Sequence, residues 1–323
     1  MRRITPDRAR SHRRPTRRRL LGTGLAATAA LALAACGSSD PLSSSDPTGS
    51  QPPTSAGTLV VGSQQYYSNE IVAELYAQAL EHAGYTVQRQ YQIGQREVYM
   101  DQVSSGKIDV FPEYTGNLLQ FLDKKADATD PADVLSALRA ALPKGLTALE
   151  PAAATDQDSY NVTKETAAKY GLKTIADLSK LPQPVKVAGN SELAKRPYGP
   201  DGLKSLYGVD AQVSPVEDSG GPLTVKALKD GDVPVADLYS AAPAIASEGF
   251  VTLEDPKHLV LPQNVVPLVS GKVDQAAQDV IDSVDAKLDT AALVELNRKS
   301  VDEKASSEKI AEDWLGDEGI VVG

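Results

Sequence analysis

Short apolar runs alternate with amphipathic helical segments along most of this chain, and this alternation restricts the fold more than any other feature. The run at 59–63 (LVVGS) predicts a strand, and apolar residues at helical spacing follow Ser68, the predicted N-cap, as far as Gly84. Comparable strand and helix signals follow up to about residue 270, and helices are predicted near 275–300 and 306–315. Such alternation is typical of parallel α/β layers.

Two segments of the chain repeat one design. GKIDVFPEY runs from Gly106 to Tyr114, and GDVPVADLY runs from Gly231 to Tyr239. Each has a helix-ending glycine, alternating apolar residues, an acid near the strand exit and a tyrosine eight residues after the glycine. Ligands of open α/β sheets bind beyond the carboxyl ends of the strands. The repeat therefore places two tyrosines where a ligand would bind, although so short a match is also compatible with coincidence.

The N-terminal 35 residues have the features of an export signal. A basic region containing TRRRLL is typical of twin-arginine signals, and the apolar stretch that follows is too short and alanine-rich to indicate a membrane span. It ends in LAACG, the pattern of a lipobox, so Cys36 is the predicted lipidation site. Because Cys36 is the only cysteine, disulfides within the chain and thiol catalysis are excluded.

Residues 37–57 consist almost entirely of Ser, Pro, Gly, Thr and Asp. A segment of this composition cannot bury enough apolar surface to offset its ordering entropy. As a flexible coil it would span on the order of 25 Å. We therefore expect a tether that holds a globular body, 58–323, near the outer face of a membrane.

The charge of the predicted mature chain argues against nucleic acid as a partner. Residues 1–35 carry nine arginines and one aspartate, so without them the formal net charge changes from −10 to −18. Such a body repels phosphate backbones. Its two histidines, His82 and His258, lie far apart, and the sequence contains no P-loop, no G-x-G-x-x-G and no G-x-S-x-G. No metal, cofactor or catalytic role is therefore predicted.

Tyrosine is unusually frequent, with 12 residues against three phenylalanines. Most tyrosines lie at positions where ordinary packing explains them. Tyr114, Tyr160 and Tyr239 differ because each is predicted to lie at the exit of an element or at a crossover between lobes. A tyrosine in such a place offers a ring face to a cation and a hydroxyl for hydrogen bonding.

The segments GSQQYYSNEIVAELYAQALEHAGY, REVYMDQVSSGKIDVFPEYTGN, GGPLTVKALKDGDVPVADLYSAAPAI and LPQNVVPLV resemble the substrate-binding lipoproteins of glycine betaine/choline-type osmoprotectant ABC importers. The resemblance covers essentially all of 58–323. It implies a two-lobed periplasmic-binding-protein fold of type II-like α/β architecture, with mixed sheets, two chain crossovers and a cleft. The organisation expected on this basis is an export signal (1–35), a lipidated tether (36–57), lobe 1 (58–156 plus 262–323) and lobe 2 (157–261).

The resemblance also implies a ligand site, because the family surrounds a quaternary ammonium group with aromatic rings. The tyrosine of the EYTG segment is Tyr114, and the polar residue three positions later is Asn117. Tyr160 in DQDSYNVT and Tyr239 in LYSAAP match the other cage tyrosines. The polar residue after the first strand is Gln64, and Arg196 in the RPYG region is expected to meet a ligand carboxylate.

One position departs from the family pattern. Where relatives with a full cage carry a fourth aromatic residue, this chain has Gln263 in LPQNVV. A trimethylammonium group has no N–H and is held by ring faces, each contributing about 0.5–2 kcal/mol when water is excluded. Gln263 therefore favours a ligand with an additional polar group or a less methylated amine.

Three classes of function are compatible with the sequence. The favoured class is a monomeric solute-binding lipoprotein that delivers a compatible solute such as glycine betaine, choline or carnitine to an ABC permease and its ATPase. A second is an anchored binding protein for another polar amine or an amino-acid-like solute, or a ligand sensor that docks onto another membrane protein. The third, a secreted carboxylate-based enzyme, would need two facing acids, one with a raised pKa.

Overall fold

The computed structural model describes residues 57–320. The predicted export signal, the lipidation site Cys36 and the tether up to residue 56 lie outside the described residues. The structure therefore addresses the globular body of the chain.

The described chain contains ten strands and eleven α-helices, together with shorter helical turns. The strands are β1 (Thr58–Gly62), β2 (Thr86–Gln90), β3 (Val110–Tyr114), β4 (Leu146–Ala148), β5 (Asp158–Val162), β6 (Val185–Gly189), β7 (Ala211–Pro215), β8 (Val235–Tyr239), β9 (Val251–Thr252) and β10 (Val265–Ser270). The helices are α1 (Tyr67–His82), α2 (Arg96–Ser104), α3 (Thr115–Leu122), α4 (Pro131–Ala141), α5 (Lys164–Tyr170), α6 (Pro200–Gly202), α7 (Pro222–Lys229), α8 (Ala244–Ser247), α9 (Gln275–Asp285), α10 (Thr290–Val301) and α11 (Ser307–Asp317). The 3₁₀ turns are Ile175–Lys180 and Ser191–Lys195, and a π-helical turn is Leu203–Tyr207.

The strands form two five-stranded mixed sheets with the same pattern of directions. The first sheet has the order β2-β1-β3-β10-β4, and the second has the order β7-β6-β8-β5-β9. In the first sheet β1, β2 and β3 are parallel and β10 runs antiparallel to its neighbours. In the second sheet β6, β7 and β8 are parallel and β5 is the antiparallel strand.

The chain passes between the two sheets twice, after β4 and again after β9. This arrangement confirms the predicted α/β fold with two lobes, mixed sheets and two crossovers. We use lobe 1 for the part that contains the first sheet and lobe 2 for the part that contains the second. No strand spans the predicted lobe boundaries near residues 157 and 262, which stay predictions.

The core of lobe 1 is built around α1, which packs between the first sheet and the C-terminal helices. Twelve of the sixteen residues of α1 are buried, and the eight apolar ones among them join one cluster with residues of β1, α9, α10 and α11. Because almost all of its surface is covered, α1 is firmly held, and so is its N-terminus. Two separate clusters form the core of lobe 2.

The two repeated segments occupy equivalent places in the two sheets. Tyr114 is the last residue of β3 and Tyr239 is the last residue of β8, as the repeat predicts. The prediction that Ser68 caps α1 is wrong. The helix begins at Tyr67 without a side-chain cap, and the Ser68 hydroxyl instead donates to Asp156 (Oγ···Oδ2, 2.9 Å).

Candidate functional site

A cavity lies where the two lobes meet, at the ends of the strands that carry the repeated segments. Its volume is about 450 Å³, including the part that opens to solvent. In lobe 1 the lining residues come from the loop after β1, the start of α2, the end of β3, the start of α3 and the first crossover. In lobe 2 they come from the start of β5, the segment 190–198 and the end of β8. The space suits a small solute rather than a polymer.

Three tyrosine rings form one wall of the cavity. The ring of Tyr66 stacks on Tyr114 with centroids 6.4 Å apart and an interplanar angle of 30°. It also contacts the edge of Tyr239 in a T-shaped arrangement at 5.2 Å and 67°. Burial raises the pKa of all three hydroxyls, so the rings stay neutral. Because Tyr66 and Tyr114 belong to lobe 1 and Tyr239 to lobe 2, this aromatic wall crosses the junction between the lobes.

Local packing holds Tyr114 at the junction. The side-chain amide of Asn69 on α1 donates to the carbonyl of Pro112 at 2.9 Å and to the Tyr114 hydroxyl at 3.3 Å. After Tyr114 the chain turns directly into α3. The second residue of this helix, Gly116, donates its backbone N–H to the carbonyl of Pro262 at 2.9 Å. A Cβ at position 116 would lie 2.5 Å from that carbonyl oxygen, so the close approach requires glycine.

Carboxyl groups make up much of the remaining lining. Asp156 is almost fully buried at the first crossover, where its carboxylate accepts hydrogen bonds from the Ser68 hydroxyl and from the backbone N–H of Ala241 (3.1 Å). Burial raises the pKa of Asp156 to about 7. Because Ser68 belongs to lobe 1 and Ala241 to lobe 2, one titratable group is bonded to both lobes.

A second acidic group lies on lobe 2. Asp158 on β5 is directly opposite Tyr239 on β8, and Asp237 is two residues before Tyr239 on the same strand. Directly opposed residues and residues two apart point to the same face of a sheet. Asp158 accepts a hydrogen bond from Asn117 of lobe 1 at 2.8 Å. Burial, and then the charge of Asp158, raise the pKa of Asp237 well above its ordinary value.

The two arginines of the lining are each paired with a glutamate. Arg96 makes two hydrogen bonds to Glu113, of 2.9 and 2.8 Å, in a buried pair. Arg196 of lobe 2 reaches Glu97 of lobe 1 with contacts of 2.8 and 3.2 Å. The Arg196–Glu97 pair therefore bridges the lobes, as do the contact between Asn117 and Asp158 and the aromatic wall.

Five of the seven residues predicted for the ligand site line this cavity, and two do not. The five are Gln64, Tyr114, Asn117, Arg196 and Tyr239. Arg196 does not present a free guanidinium, since Glu97 occupies it. Gln64 and Asn117 each keep one buried polar atom, Gln64 Nε2 and Asn117 Oδ1, without a hydrogen-bond partner in the described part of the chain.

Tyr160 and Gln263 lie behind the cavity lining. Tyr160 is in the middle of β5 rather than at a strand end, its ring is part of the lobe 2 core, and its hydroxyl donates to the carbonyl of Tyr198 at 2.6 Å. Gln263 is buried, and its side-chain oxygen accepts from the backbone N–H of Asp158 at 3.4 Å. In this structure the two residues support Tyr198 and Asp158, which do line the cavity.

Sequence reasoning missed Tyr66, Tyr198 and the acidic residues of the lining. Tyr66 follows the end of β1, so the rule that identified Tyr114 and Tyr239 would have identified it too. Tyr198 lies in the RPYG segment from which only Arg196 was chosen. Asp237 was within the repeated segment, but its partner Asp158 becomes visible only once β5 is placed beside β8.

The described residues offer little to other kinds of chemistry. Within 57–320, no group of three or more His, Cys, Asp or Glu side chains is arranged to hold a metal ion. The helices of the same range also lack one that is long and apolar enough to cross a membrane.

Two α/β lobes joined by two crossovers, with an aromatic and acidic cavity at their junction, define a solute-binding protein. The family model for the substrate binding domain of the ABC-type glycine betaine transport system matches residues 57–317. The chain therefore belongs to this family of substrate-binding transport proteins, which are not enzymes.

Individual relatives agree with the family match. The glycine betaine-binding protein YehZ of Escherichia coli (strain K12) is 28% identical over 282 residues, which cover 82% of this chain and 92% of that protein. A glycine-betaine-binding protein of Pseudomonas aeruginosa is 25% identical over 275 residues, covering 80% of this chain and 88% of that protein. A crystal structure described as a glycine betaine/carnitine/choline ABC transporter has the same fold, with a TM-score of 0.67, 22% identity and coverage of 82% of this chain and 100% of that one.

Proposed function

We propose that this protein is the extracytoplasmic solute-binding component of an ABC importer and that it captures a small methylated ammonium solute in the cavity between its lobes. Glycine betaine, choline and carnitine are solutes of this kind. The observation that carries the proposal is the aromatic wall, because Tyr66, Tyr114 and Tyr239 converge from both lobes on one cavity. Lobe closure around the solute would complete the site.

The energetics of the cavity suit such a ligand. Three ring faces together contribute roughly 1.5–6 kcal/mol to binding a desolvated ammonium group. A micromolar complex needs about 8 kcal/mol. The carboxylates of the lining supply a further attraction, since two opposite charges 4 Å apart gain about 4 kcal/mol at an effective dielectric constant of 20. Gln64 and Asn117, with their unpartnered polar atoms, would bind the polar end of the solute.

The proposal extends to the whole chain. Lipidation at Cys36 would anchor the protein to the outer face of the cell membrane, with the tether leaving the two-lobed body free to move. From there the protein would deliver its solute to a permease driven by an ATPase. A monomer suffices, because a single chain supplies both sides of the cavity.

Thermal unfolding of the purified full-length protein with candidate solutes tests this function. A ligand at about 100 times its dissociation constant adds about 2.7 kcal/mol of stability, which corresponds to about 5–10 °C in Tm. We expect such an increase with at least one of glycine betaine, choline and carnitine. The neutral carbon analogue of choline, 3,3-dimethylbutanol, is the matched control and should have no effect. Equal shifts with the neutral analogue, or none with any ammonium solute, would refute the proposal.

A further inference from the structure

The charges that line the cavity are unequal in number and in availability. Four carboxyl groups line it, against two guanidinium groups. The acids are Asp156, Asp158, Glu192 and Asp237, and within 57–320 none of them forms an ion pair with a lysine or arginine. A ligand that enters this space therefore meets more acidic than basic groups.

Both arginines of the lining are already neutralised. Glu113 and Glu97, which bind Arg96 and Arg196, lie outside the cavity lining. The first pair is buried, with side-chain exposures of 5% and 0%, and the Glu113 carboxylate also accepts a 2.6 Å hydrogen bond from the Tyr99 hydroxyl. A solute carboxylate would thus have to displace a carboxylate already bound to the guanidinium.

The acids, in contrast, lack cationic partners, since the hydrogen bonds that they accept come from neutral groups. Asp237 is buried, and its Oδ1 has no hydrogen-bond partner among the described residues. Asp237 is two residues before Tyr239 on β8, and Asp158 lies opposite Tyr239 on β5. Both carboxyl groups therefore lie on the face of the sheet that carries a ring of the aromatic wall. Burial raises the pKa of Asp237, and the charge of the neighbouring Asp158 raises this pKa further.

We propose that the cavity selects solutes with a net positive charge over zwitterions of the same size, and that Asp237, acting with Asp158, determines this selectivity. The inference rests on the proposed function and narrows it to a class of solute. The ammonium group would lie against the aromatic wall within reach of both carboxylates. A solute that carries its own carboxylate meets four acids and no free guanidinium, so its binding is weaker.

Choline and glycine betaine form a matched pair for the test, because they share the trimethylammonium head and differ mainly in a hydroxyl or a carboxylate at the other end. Isothermal titration calorimetry of the full-length protein measures both dissociation constants. We expect choline to bind at least about tenfold more tightly, a difference of about 1.4 kcal/mol. Tetramethylammonium, the bare head group, should also bind measurably.

Two variants test the residues that carry the selectivity. Asp237→Asn removes the charge at nearly constant volume and should weaken choline binding about tenfold or more while bringing the two affinities together. Glu97→Gln releases Arg196 and should improve glycine betaine relative to choline. Asp232→Asn, an exposed acid near the start of β8, is the control and should change neither affinity.

The outcomes separate this inference from the proposed function. If none of choline, glycine betaine and carnitine binds the wild-type protein, the proposed function fails. If both bind and glycine betaine binds as tightly as choline or more tightly, only the selectivity for net cations is overturned. An unchanged ratio of the two affinities in Glu97→Gln would contradict the role given to the occupied Arg196. That test remains decisive if Asp237→Asn does not fold.

Discussion

Replacing Asp156 by asparagine should remove a pH dependence of stability that the buried carboxyl group imposes on the ligand-free protein. The pKa of Asp156 is raised from 3.8 to about 7, chiefly by burial. The native state therefore holds this proton more tightly than the unfolded chain does. The stabilising contribution is fully present below a pH of about 3.8 and is lost as the pH rises through about 7.

The magnitude follows from the two pKa values. A change from 3.8 to about 7 corresponds to about 4 kcal/mol in total. Of this, about 2.5 kcal/mol is lost between about pH 5 and about pH 8, where the unfolded chain is already ionised and the native carboxyl group is losing its proton. Asparagine does not titrate, and its carbonyl can still accept the hydrogen bond from the backbone N–H of Ala241.

Thermal unfolding at the two pH values, without ligand, measures the effect. The drop in Tm from about pH 5 to about pH 8 should be smaller in Asp156→Asn than in the wild type by about 5–10 °C. The other titrating groups cancel in this comparison. Asp232→Asn, which alters an exposed acid, should keep the wild-type pH dependence. Equal drops in the wild type and Asp156→Asn would refute the conclusion that a buried, ionising carboxyl group at the crossover destabilises the neutral-pH protein.

Two further substitutions test the aromatic wall and the buried ion pair. Tyr114→Leu should weaken binding of a methylated ammonium solute about 2- to 30-fold through the loss of one ring face. Tyr170 lies outside the cavity, and Tyr170→Leu should leave the affinity measured by calorimetry unchanged. Equal losses of affinity in the two variants would contradict the assignment of Tyr114 to the aromatic wall. Glu113→Gln leaves the buried charge of Arg96 without its partner and should lower the free energy of unfolding by about 3–5 kcal/mol in urea titrations. Glu150→Gln breaks an exposed pair and should change it by less than about 1 kcal/mol.

Much of the fold could be predicted because its signals are local. Asp130, which precedes Pro131, and Thr163 are residue types that typically start helices, and their side chains cap α4 and α5. The strand-end positions of Tyr114 and Tyr239 also follow from spacing within short segments. Ser68 shows where this reasoning fails. The Ser68 hydroxyl can bond either to the N-terminus of α1 or to a residue that is distant in sequence. It donates to the buried Asp156, 88 residues away, and therefore does not cap the helix.

The electrostatics of the site could not be predicted, because each pair joins distant parts of the chain. Asp158 and Asp237 become neighbours through the antiparallel pairing of β5 with β8. The pair of Arg196 and Glu97 forms only where the lobes meet. Arg196 therefore lies in the cavity lining, but nothing in the sequence indicated that Glu97 would bind its guanidinium group.

The buried acids connect the stability of the empty protein with the charge of the solute we propose. In the empty cavity at neutral pH, Asp156 and Asp237 either ionise without a cation nearby, which lowers the stability of the protein, or retain a proton, which weakens the attraction for an incoming cation. A bound ammonium group favours the ionised carboxylates, so its binding releases protons and tightens as the pH rises towards about 8. The same group that destabilises the ligand-free protein thus strengthens the complex. For this reason Asp156→Asn should raise the stability of the empty protein at neutral pH while lowering its affinity for a cation, as expected when a site is organised for its ligand rather than for stability.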